Sequence, residues 1–356
     1  MDRIIRNVLV KLECNGFKSY IVGGYVRDML LKKKSFDIDI CTNALPKDVI
    51  SIFKNSKVNN YGGVKFSIGK YNFDVTTFRK ELYYENRKPK DFMYVNTLEE
   101  DIVRRDFTIN TLCMDKNSKL IDIYKGKCEL EDKVIKCVGN IEDKLVEDPL
   151  RILRAIRFAC VLDFVIDGEL YNFIKNNSNL VNSLSDRIVR KELSFILLSN
   201  NYLRGLNILS STNVFKSLNI GYDKVIKSSD ILVMYAQLDI DTKYFTKHET
   251  NTIKKIKNII NYGKIDDSTL FNYGLYLNIV VGEIFNMPKN SVVKMYKEMY
   301  INDDKKLCIT SEQLMEVLNI NEGVKLGKVR KEIISLLLDK KLKNNKKDII
   351  NYLKKG

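Results

Sequence analysis

Asp37 and Asp39 stand two residues apart in Phe36-Asp37-Ile38-Asp39-Ile40-Cys41. Side chains alternate across a strand, so both carboxylates point to one face, where they repel each other unless a cation lies between them. Ahead of them a short strand, Ser19 to Val22, runs into a glycine pair and a helical segment, Gly23-Gly24-Tyr25-Val26-Arg27-Asp28. Glycines at such a turn let the backbone approach a phosphate while helix amides face it. Together the two features predict a metal-and-triphosphate site. Asp74, in Asn72-Phe73-Asp74-Val75-Thr76-Thr77, is the best candidate for a third carboxylate, because it too falls on a strand between hydrophobic residues. Two-metal phosphoryl transfer needs such oxygen ligands, one ion activating the attacking hydroxyl and the other neutralising the leaving phosphates. Any half-buried strand with a solvated face would show the same alternation of Asp and Ile. The glycine turn just before it is what favours chemistry.

Two arginine clusters follow. Arg104-Arg105-Asp106-Phe107-Thr108-Ile109-Asn110 reads either as a helix start capped by Asp106 or as paired guanidiniums suited to a triphosphate or a ribose. Asn110 is then a structural hydrogen-bonder. Glu147-Asp148-Pro149 opens a helix in which Leu150, Leu153 and Ile156 form an apolar stripe, with Arg151, Arg154 and Arg157 beside it. A solvated, salt-bridged helix face would look the same. The chemical reading is more specific. Asp148 and Arg151 are one turn apart on neighbouring positions. A carboxylate accepts from an exocyclic amine, and a guanidinium donates to a ring nitrogen or carbonyl. Cytosine and adenine each offer an amine beside an acceptor, whereas guanine and uracil present a different pattern. The pair is therefore suited to selecting C and A without a template.

The elements that must position these residues change character along the chain. Strand signals at 19–23, 36–41, 64–68, 71–78 and 119–123 alternate with helical segments such as Pro46 to Phe53, after an Asn43 cap candidate. From about residue 141 strand signals fade and helical periodicity takes over. Four prolines in 356 residues suit long uninterrupted helices, and Lys340 to Lys355 is a Lys-rich amphipathic tail with Leu342, Ile349, Ile350 and Leu353 as its stripe. No apolar run reaches membrane-spanning length, and the N-terminus lacks the apolar core of a signal peptide. Seven scattered cysteines without a CxxC pair suit free thiols in a reducing cytosol. The single histidine, His248, rules out a His-based metal cluster, a catalytic triad or a His-Asp phosphohydrolase centre; it is expected on the surface. A formal charge of +15 favours a polyanionic partner, with nucleic acid ahead of a membrane surface.

The stretches GGYVRDMLL with FDIDICTNALP, then DVTTFR, RRDFTIN, DIYKG, EDPLRILRAIRF and SDRIVRKEL, in that order over residues 17–195, resemble the class II tRNA nucleotidyltransferase (CCA-adding enzyme) and bacterial poly(A) polymerase family. The resemblance implies an α+β nucleotidyltransferase head, a mixed sheet with helices, over residues 1–140. An elongated all-α remainder follows: a neck with the nucleotide-selecting helix (141–200), a body (201–280) and a tail (281–356), the last two binding tRNA. It implies magnesium on Asp37 and Asp39, two ions in the mechanism above, with Asp74 as the third catalytic carboxylate. It also implies nucleotide contacts from Gly24, Arg27, Arg105, Asp148, Arg151, Arg154 and Arg157, which Gly23 joins on the glycine-turn reading, and it puts base selection on Asp148 and Arg151. The expected activity is addition of CCA to the 3′ end of tRNA from CTP and ATP, in the cytoplasm, with no membrane and no obligate protein partner. Arg79 to Asn96 resembles the flexible loop of members that add the terminal A as well as the Cs. Poly(A) polymerase and a partial A-adding or CC-adding enzyme are alternatives, and a non-catalytic RNA-binding relative is a distant one. The chain departs from the family pattern at Lys32-Lys33-Lys34, where a glycine is usual after the first helix, at Thr111 in place of Ala, and at Asp74 in place of Glu.

Overall fold

The structure, a computed structural model, describes residues 1–59, 62–85 and 88–354, apart from the side chains of 82–85 and 88–90. It divides into two compact units, Met1–Asn219 and Ile220–Gly356.

In the first unit the strands are β1 (Ser19–Val22), β2 (Asp37–Thr42), β3 (Lys57–Val58), β4 (Val64–Ile68), β5 (Tyr71–Thr77), β6 (Arg79–Glu85), β7 (Lys88–Tyr94), β8 (Cys113–Met114) and β9 (Leu120–Ile121). Seven of them form one sheet in the order β3-β4-β5-β2-β1-β8-β9. The sheet is mixed: β2 and β5 run parallel, and the other neighbours antiparallel. Five strands coincide with the sequence signals. β3 and β8, of two residues each, are too short to alternate and gave none.

β6 and β7 form a separate antiparallel hairpin, covering most of the segment expected as a loop; its Asn86 and Arg87 lie outside the described residues. Val134–Ile135 and Val165–Ile166 add a small parallel pair, the second strand lying beyond the point where strand signals fade.

Alternation sets what the sheet buries. Ile38 and Ile40 of β2 are 1% exposed, while Asp37 and Asp39, which alternate with them, lie on the opposite face, the one that opens into the site. Phe53, Phe66 and Phe73 stack in series beneath the sheet at 4.4 and 5.2 Å between centroids. The Pro46–Ile52 helix begins with proline at its first position. Asn43 does not cap it. Its side-chain oxygen accepts from the Lys18 amide at 2.7 Å, and Asp48 instead accepts from the Leu45 amide at 3.1 Å, because the chain bends back toward β1 at Asn43.

After Ile141 the first unit is mainly helical. Leu150–Leu162 is the central helix, with Ile152, Leu153, Ala155, Ile156 and Ala159 fully buried. The second unit consists of helices and short 3₁₀ turns, with one isolated β bridge, Gly221 to Asp239, among its described residues. Its Lys247–Tyr262 helix opens with a Thr246/Glu249 capping box, and His248 lies exposed in the first turn. At the C-terminal end Leu342, Ile350 and Leu353 pack on a core that includes Leu314, Ile333, Leu337 and Ile349, the stripe read from the sequence. Among the described residues no helix is long and apolar enough to cross a membrane.

Candidate active site

The parallel pairing of β2 with β5 sets Asp39 directly beside Asp74, and Asp37 beside Asn72. Directly paired residues share a face, so the three aspartates chosen from the sequence project from one side of the sheet. Asn72 Nδ2 donates to Asp37 Oδ1 at 3.0 Å, and Ser67 Oγ donates to Asn72 Oδ1 at 2.9 Å. Lys65, the β4 partner of Asp74, places its ammonium 2.9 Å from Asp74 Oδ2. The other oxygen, Asp74 Oδ1, is buried with no hydrogen-bond partner. Burial by the surrounding protein pushes the Asp39 carboxyl above its ordinary range; Asp74 and Asp37 add repulsion, and Arg105 opposes the shift.

The donor set suits a divalent cation: oxygen ligands only, mutual repulsion, and one orphaned carboxylate oxygen. Among the described residues, however, no group of three or more His, Cys, Asp and Glu side chains is gathered as a metal cluster. Lys65 holds the third carboxylate by its outer oxygen.

Asp39 and Asp74 line two cavities. One, of about 610 Å³, is lined by Asp37, Asn55, Lys57 and Lys65 as well. The other, of about 270 Å³, adds Arg79, Arg104 and Arg105. Gly23, at the start of the Gly24–Leu30 helix, has φ 75° and ψ −129°, a region essentially reserved for glycine. A Cβ there would lie 3.5 Å from Arg105 Nη1 and 3.9 Å from Asp39 Oδ2. The glycine turn, Arg105 and Asp39 therefore converge. Asp101 is fully buried behind them. Its Oδ1 accepts from Arg104 at 3.0 Å and from the Arg79 amide at 3.1 Å, and its Oδ2 lies 3.6 Å from Arg105. Arg105 keeps a buried Nε with no partner.

Several arginines expected at the nucleotide are engaged with other protein groups in this structure. Arg27 gives Nε and Nη2 to Asp28 at 2.9 and 2.7 Å, and Nη1 to Asn110 at 2.7 Å. Asn110 in turn donates to Asp106 at 3.0 Å, and Asp106 receives Arg154 Nε at 2.7 Å. Asp106 is thus a buried junction, not a helix cap. Gly126 of the DIYKG stretch makes room for this loop, because a Cβ there would collide with the Thr108 carbonyl. Arg157 pairs with Glu192 at 3.1 Å. The guanidiniums of Arg27, Arg154 and Arg157 all lie over the Phe158 ring, at 5.2, 5.2 and 4.6 Å.

Arg151 is 5% exposed and donates to Glu147 and to the Lys144 and Arg104 carbonyls at 2.7, 2.7 and 3.1 Å. Asp148 stands between two helices, its Oδ1 accepting from the Leu150 amide at 3.1 Å. The site residues that sequence reasoning did not single out are Arg79, Lys65 and Asp101. Arg79 ends the DVTTFR stretch. Lys65 and Asp101 carried no signal, since each acts through a neighbour supplied by the fold.

Residues 19–136 match the family model described as the Poly A polymerase head domain. Over longer spans the chain is 31% identical to the CCA-adding enzyme of Ligilactobacillus salivarius, covering 93% of this chain and 89% of that protein. It is 30% identical to the CCA-adding enzyme of Pediococcus pentosaceus, covering 98% and 97%. The chain belongs to the CCA-adding enzyme family. Its fold resembles the Bacillus stearothermophilus CCA-adding enzyme crystallised with CTP (TM-score 0.81, 21% identity, 100% and 98% of the two chains). It also resembles the Thermotoga maritima enzyme complexed with tRNA (TM-score 0.71, 20% identity, 100% and 96%).

Proposed function

We propose that this enzyme adds C, C and A to the 3′ end of tRNA, using CTP and ATP and releasing pyrophosphate. The observation that carries the reading is the convergence of Asp37, Asp39 and Asp74 on one sheet face with the Gly23 turn and Arg105. The tRNA 3′-oxygen attacks the α-phosphorus, the bond to the β-phosphate breaks, and pyrophosphate leaves. Asp37 and Asp39, with Asp74 as third carboxylate, would hold two Mg²⁺ ions, which would supply Lewis-acid chemistry for the attacking hydroxyl and the leaving phosphates.

The Gly23-Gly24 turn and Arg105 receive the triphosphate, while the buried Asp101 keeps Arg105 aimed. Arg27, Arg154 and Arg157 hold the frame around it. Asp148 and Arg151 select the base. For this the Arg151 guanidinium exchanges at least one of its contacts to Glu147, Lys144 or Arg104 for an acceptor on the base edge. The β6–β7 hairpin is the element we assign to addition of the terminal A.

We divide the chain into a head (1–140), neck (141–200), body (201–280) and tail (281–356). Body and tail grip the tRNA through shape and phosphate contacts. We assign the enzyme to the cytoplasm, in keeping with its free thiols.

Transcripts of tRNA lacking CCA, lacking only A, and complete, offered CTP and ATP separately and together, test this reading. CTP alone should add two nucleotides, CTP with ATP should add three and stop, and the complete transcript should stay unchanged. Asp39→Ala should abolish incorporation with tRNA binding retained. A long ladder of A would instead identify a poly(A) polymerase, a single A on tRNA ending in CC an A-adding specialist, and no incorporation a non-catalytic binder.

A further inference from the structure

The sheet carries a transverse row that the chemistry above does not explain: Lys57 of β3 pairs with Lys65 of β4, Lys65 with Asp74 of β5, and Asp74 with Asp39 of β2. Paired residues share a face, so a cation stands immediately outboard of the third carboxylate. Lys65 is 60% exposed at its side chain and reaches Asp74 Oδ2 at 2.9 Å, while Asp74 Oδ1 is turned inward and buried with no partner. Asp37 in the next row is hydrogen-bonded by a neutral group, Asn72, and through it by Ser67. Lys57 of β3 lines the same cavity as Lys65, while the arginines nearby, Arg79, Arg104 and Arg105, line the second cavity, where Asp101 and Glu81 hold them.

We propose that Lys65 is a positioning residue that acts as a built-in counter-cation: it neutralises Asp74 while the site is empty, holds the carboxylate by its outer oxygen, and sets how tightly a divalent cation is taken up. The inference rests on the metal reading of Asp37 and Asp39. An exposed ion pair contributes little to stability, so it gives way readily when a divalent ion arrives. Its charge nevertheless opposes that ion across a few ångströms. The ammonium therefore weakens metal binding, and in exchange it spares the empty site an uncompensated Asp74 beside two further carboxylates.

The test uses the full chain with Mn²⁺ alone, without nucleotide or tRNA, reading bound ion by the loss of the free Mn²⁺ resonance. Lys65→Met should bind Mn²⁺ about tenfold more tightly than wild type, and Lys65→Arg should bind like wild type. In Lys65→Met/Asp74→Asn the tightening should vanish. Melting temperature should also depend more strongly on Mn²⁺ versus chelator in Lys65→Met than in wild type; Lys65→Gln serves the same purpose if the Met variant folds poorly. Unchanged or weaker binding in Lys65→Met overturns the inference, as does tightening that survives loss of the Asp74 charge. If wild type itself takes up no Mn²⁺, the metal reading falls with it. If wild type binds and Lys65→Met binds no tighter, only the Lys65 proposal falls.

Discussion

Asp106 shows how one residue ties the catalytic face to the helix behind it. Burial works to raise its carboxyl, but Arg154 beside it, with hydrogen bonds from Asn110 and the Phe107 amide, outweighs that and holds it below the ordinary carboxylate range. A depressed carboxyl contributes stability that is fully present above its unfolded value, about 3.9, and lost as pH falls through the folded one. Asp106→Asn should therefore destabilise the protein by about 3 kcal/mol at neutral pH. It should also flatten the fall in stability below about pH 4, measured by urea denaturation across pH. An unchanged acid limb would show that Asp106 is not the titrating group. In the sequence Asp106 read equally well as a cap, because a cap and a buried junction have the same local pattern; only Arg154, 48 residues on, separates them.

At the scale of elements, the glycine turn was legible because its demand is local. Gly23 needs a φ that other residues reach only with strain, about 1–3 kcal/mol, while the surroundings leave ordinary room for a Cβ. Gly23→Ala should thus keep the fold, lose stability of that order, and raise KM for both CTP and ATP with little change in KM for tRNA. Steady-state kinetics with each substrate varied in turn check this, and a rise confined to tRNA would contradict it. The arginines on the Leu150–Leu162 helix were less legible. Their spacing gave one face, yet Arg151 turns inward to backbone carbonyls while Arg154 and Arg157 flank Phe158. The β6–β7 hairpin escaped prediction because its charged residues do not alternate cleanly with apolar ones, and because Asp101, through the Arg79 amide, anchors its base from outside the segment.

Across the whole molecule, the net charge of +15 belongs to two units of different build, a mixed-sheet unit carrying the site and a helical one without strands in its described residues. Affinity for tRNA should fall steeply as salt rises, by roughly 10³-fold or more between about 50 and 200 mM if six or more phosphates are neutralised. Mn²⁺ uptake at the carboxylates should change far less. Filter binding over a salt series reads the slope, and a flat response would remove the phosphate-grip reading.

The sequence by itself determined that Asp37 and Asp39 share a face, that a glycine pair precedes them, and that helices follow the sheet. Those are consequences of periods of two and 3.6 residues and of adjacent residue types, all set within a few neighbours. Only the tertiary structure decided that Asp74 lies beside Asp39, that Lys65 holds it, that Asp101 is buried beside Arg105, and that Arg27 and Arg151 are tied to other protein groups. Those depend on which strands pair, in what register, and on what a buried charge finds for a partner. No local pattern carries that information, because each contact joins segments brought together by the fold.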